Sequence, residues 1–128
     1  MNYYFARTLD ADFETAIART RAALQANGFG VITEIDVTNT LKSKIGVDFR
    51  PYRILGACNP KLAHEALQLE DKVGTMLPCN VVVQQTASGQ IEVAAIDPVA
   101  SMQAIDNPKL LEQAGRVGEM LKAVVAAI

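Results

Sequence analysis

Cys58-Asn59 and Cys79-Asn80 repeat one dipeptide across a 128-residue chain that holds no other cysteine. A thiol beside a cation or a helix N-terminus ionises easily and becomes a nucleophile, whereas a thiol among apolar groups acts as a small hydrophobe. The sequence leaves both readings open, and with them thiol redox, sulfur transfer and soft-metal binding. Cys58 closes one predicted strand and Cys79 opens another, so each thiol sits where a strand meets a loop. A predicted helix between them reverses the chain direction. The thiols meet only if the two strand ends lie at the same edge of a sheet.

Metal binding is not predicted, because it needs three or four ligands and only His64 and Glu65 lie near Cys58. Neither makes a known ligand spacing. His64 is expected to face solvent, since its helix has the apolar stripe Leu62, Ala63, Ala66 and Leu67. A nucleophilic cysteine assisted by His64 is the catalytic alternative. Asn59 is read as a helix cap and Asn80 as a strand-end hydrogen-bonding residue. Gly56 lies within a strand, which implies a bulge or the close approach of another group. Glycine-rich phosphate loops, nucleophile elbows and paired-histidine helices are all missing from the sequence.

Lys42, Lys44, Arg50 and Arg53 stand against Asp48 alone between Thr40 and Ile54. This local excess suits a small anion and is too small to track a phosphate backbone. The formal net charge of −2 argues against nucleic acid or an acidic membrane as partner. Half the residues are apolar and a fifth are charged, as in an ordinary globular chain, and residues 1–128 read as one domain. No span has the apolar length of a membrane helix, and the opening residues Tyr3-Tyr4-Phe5 do not resemble a secretory signal. The expected location is the cytoplasm, where both thiols stay reduced and form no structural disulfide.

The elements that position these residues follow from periodicity. Asn2 to Arg7 is a short aromatic strand. Asp10 then caps a helix with the stripe Phe13, Ile17, Thr20 and Leu24, stopped at Gly28. From Phe29 to Val37 the period is two, with Phe29, Val31, Ile35 and Val37 on one face. Ile32, Glu34 and Asp36 lie on the other. Thr38 or Asn39 caps a short helix to Lys44, ended by Gly46, and a strand runs from Tyr52 to Cys58. Asn59-Pro60 opens a helix to about Leu69. Cys79 to Thr86 and Ile91 to Asp97 form a hairpin around Ala87-Ser88-Gly89-Gln90. Asn107-Pro108 opens a last helix with Leu110, Ala114, Val117, Leu121, Val124 and Ile128 on its stripe. The fold class predicted is α+β in two layers, with one mixed or antiparallel sheet of about five strands and helices mainly on one face.

Four segments carry a resemblance in their order and spacing: Thr33-Glu34-Ile35-Asp36-Val37, Leu41-Lys42-Ser43-Lys44-Ile45-Gly46, Ile54-Leu55-Gly56-Ala57-Cys58-Asn59-Pro60 and Leu77-Pro78-Cys79-Asn80-Val81. The chain resembles the Domain of Unknown Function 302 family over almost its whole length. The resemblance implies a compact α+β fold, often a homodimer, with the two Cys-Asn segments as signature elements. It brings no established reaction and supplies no catalytic residue, and the cofactor stays unknown.

From the residues, the expected function is a small binding module for a small molecule or anion. Its site is a polar loop edge at Cys58, Asn59, Cys79 and Asn80, with Lys42 and Arg53 nearby. The alternatives are a cysteine-dependent redox or sulfur-carrier protein and a purely structural interaction protein. Homodimerisation is also expected from Met120 and Val125, which lie outside the main stripe of the last helix and ask for further cover.

Overall fold

The computed structural model describes residues 2–128. In chain order the elements are β1 (Tyr4–Leu9), α1 (Phe13–Ala26), β2 (Gly30–Asp36), α2 (Val37–Ile45), β3 (Tyr52–Cys58) and α3 (Pro60–Leu69). A 3-10 turn (Val73–Met76) leads to β4 (Cys79–Gln85), β5 (Ile91–Ile96), α4 (Pro98–Met102) and α5 (Pro108–Ala127). The strands form one sheet in the order β1-β5-β4-β3-β2, and every neighbouring pair is antiparallel. This is the expected α+β architecture, with the choice between mixed and antiparallel resolved.

Alternation along the strands sends Leu55 and Ala57, Val81 and Val83, and Val93 and Ala95 to one face. Helices α1 and α5 lie against that face and bury Ile17, Leu24, Leu121 and Val124 there. A second cluster, Ala66, Val73, Met102, Leu110 and Ala114, joins α3, α4 and the start of α5. The opposite face carries Ile35, Ile54, Val82 and Ala94 across the sheet and packs against none of the long helices α1 and α5.

Several local expectations shift. The first strand starts two residues later than predicted and reaches Leu9, which is buried opposite Ile91. Asp12, not Asp10, caps α1, accepting from the Thr15 N–H at 2.7 Å. The cap of α2 is Asp36, not Thr38 or Asn39, because the chain passes from β2 into the helix without a loop. Gly28 and Gly46 do take the left-handed conformation that ends their helices.

A bulge between Val31 and Thr33 changes the phase of β2. Downstream of it Glu34 and Asp36 share the helix side with Leu55 and Arg53, and Ile35 turns to the open face, 49% exposed. An uninterrupted period of two had put Ile35 with Val31, and one extra residue in the strand reverses that.

Val125 is buried in the core and Met120 packs half-buried against the same cluster. The sheet, α1, α3 and α4 surround α5, so its second apolar stripe is covered within one chain. Val125 therefore offers no surface to a second copy, and Met120 offers only its half-exposed side. No helix among the described residues is long and apolar enough to cross a membrane.

Leu121 is fully buried where α5 meets the sheet. Leu121→Ala is expected to cost about 2 to 5 kcal/mol in denaturant unfolding, the range for deleting a buried leucine side chain. A loss below about 1 kcal/mol would show that this contact does not close the core.

Candidate functional site

The end of β3 and the start of β4 lie side by side because the strands are antiparallel neighbours, with Ala57 directly opposite Cys79. Cys58 follows Ala57, and the chain leaves the sheet there. The Asn59 Oδ1 accepts from the Leu62 N–H at 3.1 Å, and Pro60 occupies the first turn of α3. Both thiols thus reach the same sheet edge, and both line one cavity of about 330 Å³. Neither is bonded to the other or to any third cysteine.

The cavity floor is the β3 and β4 ends, and its walls come from α3, α4 and α5. Small side chains make the room, since Ala57, Ala66 and Ala114 are buried at positions where leucines would fill it. Ile32 and Leu67 line it yet stay 61% and 42% exposed, so they mark its mouth. The lining is almost wholly apolar and includes no charged side chain. A volume near 330 Å³ lies at the lower end of the ligand-pocket range of about 300 to 1,000 Å³.

Gly56 explains itself at this edge. A Cβ there would lie 2.0 Å from the Thr33 Oγ1 and 2.7 Å from the Pro78 Cγ, so neighbouring groups occupy the space of a side chain. The glycine lets β2 and the segment entering β4 close on β3, which fixes where Cys79 begins its strand.

Burial raises the Cys79 thiol from its ordinary 9.0 to about 11, and the nearby Cys58 adds to the shift because two thiolates would repel. At neutral pH Cys79 is therefore a protonated, poorly nucleophilic thiol. His64 is exposed on α3 and contacts Gln68 at 3.4 Å, away from the cavity lining. Among the described residues no group of three or more histidines, cysteines, aspartates or glutamates is placed to hold a metal.

The remaining expected site residues lie elsewhere. Asn80 points away from Cys79 along the alternating strand and lies on the open face of the sheet with Tyr4 and Tyr52. Arg53 and Lys42 border a separate groove at the far end of β3, five residues or about 17 Å from Cys58. Arg53 lies over the Phe13 ring and meets Glu14, Glu34 and Asp36 at 3.4, 3.5 and 3.7 Å. Lys42 is paired with Asp48 at 2.9 Å. The charge of Arg53 that looked free in sequence is thus answered by carboxylates from β2 and α1, brought in by folding, while Lys42 is held by Asp48 of its own segment.

Sequence reasoning overlooked Gln113. It is 3% exposed on α5 and lines the cavity, donating from Nε2 to the Leu62 carbonyl at 2.7 Å and towards Glu65 at 3.5 Å. The signal was present, because Gln113 falls between Leu110 and Val117 inside the buried stripe. A polar residue there needs a partner.

Comparison with known proteins gives the same picture of kinship without chemistry. Residues 5–128 match the family described as "Domain of unknown function DUF302". The crystal structure of an uncharacterized conserved DUF302 protein from Bacillus stearothermophilus superposes with a TM-score of 0.93 at 30% identity, covering 99% of this chain and 98% of that one. No curated protein matches the chain significantly.

The raised thiol sets a pH dependence. The folded state holds the Cys79 proton up to about pH 11, while the unfolded chain releases it near 9.0. The unfolded state binds fewer protons in that window, so stability is complete below pH 9.0 and falls as pH rises towards about 11. The loss is expected to be of order 2 kcal/mol and absent in Cys79→Ala. Denaturant unfolding of both proteins at pH 8 and above checks it, and parallel pH profiles would assign the loss to other groups.

Proposed function

The chain belongs to the Domain of unknown function DUF302 family, and on that footing we propose that it binds a small, uncharged, largely apolar molecule in the cavity beside Cys58 and Cys79. The observation that carries this is an apolar recess of about 330 Å³ with an exposed mouth and no charged lining residue. Burying an ion there without a partner would cost far more than a neutral group of the same size. This narrows the expected ligand from small molecule or anion to the neutral class. Asn59 contributes as the cap that holds α3 over the cavity.

The redox or sulfur-carrier alternative finds less support at Cys79, because a thiol held protonated to about pH 11 attacks slowly at neutral pH. A cytoplasmic location accords with the binding reading, since a reducing compartment keeps two neighbouring thiols free.

Ala114→Leu tests the cavity directly. Where a core is full, extra methylenes cost about 1 to 3 kcal/mol, but here they enter space that is already present. The expected result is stability within about 1 kcal/mol of wild type together with loss of binding for small aromatic hydrocarbons, read by thermal shift and calorimetry. Unchanged binding in this variant would place the ligand elsewhere.

Self-association belongs to the same proposal, through the helix-free face of the sheet rather than α5. Ile35, Ile54, Val82 and Ala94 form an apolar row there. Glu92 accepts from the Gln84 Nε2 and Arg50 donates to the Gln84 Oε1, so the two opposite charges beside this row are linked through one amide. Light scattering at micromolar concentration is expected to show twice the 13.8 kDa chain mass, reduced to the single mass by Val82→Lys. A 13.8 kDa species in the wild type would refute self-association.

A further inference from the structure

Gln113 has its two ends in different surroundings. Its Nε2 is committed to the Leu62 carbonyl and lies near the Glu65 carboxylate, two acceptors. Turning the amide over would set oxygen against two oxygens, so the hydrogen bonds fix its orientation. Oε1 then accepts no hydrogen bond among the described residues. It is not sealed in protein either, since no buried side-chain polar atom is without a partner. The residue is 3% exposed and lines the cavity, so the space that Oε1 meets is the cavity itself.

We propose that Gln113 selects the ligand: the cavity takes a neutral apolar molecule bearing one hydrogen-bond donor, an N–H or O–H, which the Gln113 Oε1 accepts. The inference rests on the binding reading above and adds a chemical class to it. An unpaired carbonyl oxygen facing an apolar recess is costly, and a donor on the ligand relieves that cost where a hydrocarbon or an ether cannot. The helices hold the acceptor in place before binding, because the same amide ties α5 to α3. Size points to a ligand of one or two rings, since an apolar cavity of about 150 Å³ admits benzene and this one is about twice that.

Indole, indene and benzofuran test this on the intact protein, being nearly equal in size and shape with only indole carrying an N–H donor. Affinities are measured by calorimetry and each is normalised to the compound's water-to-alkane partition. Wild type is expected to favour indole by about tenfold, a discrimination typical of one buried hydrogen bond. Gln113→Met is expected to bring that preference close to unity while retaining indene. Equal normalised affinity for all three in wild type would overturn the role of Gln113 and leave the cavity reading standing. Binding of none would overturn the cavity reading and this inference with it. The wild-type series decides the matter alone where Gln113→Met fails to fold. A preference for indole that survives in a folded Gln113→Met would assign the acceptor to another group.

Discussion

Ala57 facing Cys79 across the β3–β4 ladder is the pairing on which the arrangement depends. Strands separated in sequence by a helix and a 3-10 turn are made immediate neighbours, so the intervening segment must leave the sheet and return at one edge. That excursion is α3, and the space beneath it is the cavity. The pairing is possible only because Gly56 lacks a side chain where Thr33 and Pro78 come close. Conformation at one backbone position, pairing of two strands and the volume of a recess are therefore one linked problem.

The recess persists because α3 is fastened more by polar ties than by apolar contact. Of its ten residues only Ala66 is fully buried. The Asn107 Nδ2 donates to the Leu69 carbonyl at 2.9 Å at one end, and Gln113 donates to the Leu62 carbonyl nearer the other. Hydrogen bonds to backbone carbonyls fix distance and direction without demanding that the space between be filled. A helix held by leucines at the same positions would have collapsed onto α5.

Much of this was legible in the chain. The Asn-Pro pairs at 59–60 and 107–108 announce α3 and α5, because cap and first-turn proline leave little else for the backbone to do. Asp97-Pro98 uses the same device to start α4, yet five residues are too few for periodicity to show a helix. The β2 bulge was invisible for a related reason, since an extra residue changes phase without changing composition. Of the residues singled out in the sequence, Cys58, Asn59 and Cys79 stand at strand ends and line one cavity. Lys42 and Arg53 border a different groove, because the extended β3 carries Arg53 to its other end, where folding brings carboxylates opposite it. Gln113 was hidden by its neighbours, an amide beside the apolar stripe of Leu110, Ala114 and Val117.

The bulge at Val31–Thr33 also bears on how copies of the chain can meet. β2 is a border strand of the sheet, and its outer backbone groups would otherwise offer a template for another chain to extend the ladder. The irregular step interrupts that template midway. Beyond it Glu34 is engaged by Arg21 and Arg53, and Asp36 ends the strand by turning it into α2. What is left of a regular edge is too short and too charged to zip onto a stranger. At this border the ladder is thereby closed to open-ended growth along the hydrogen-bonding direction.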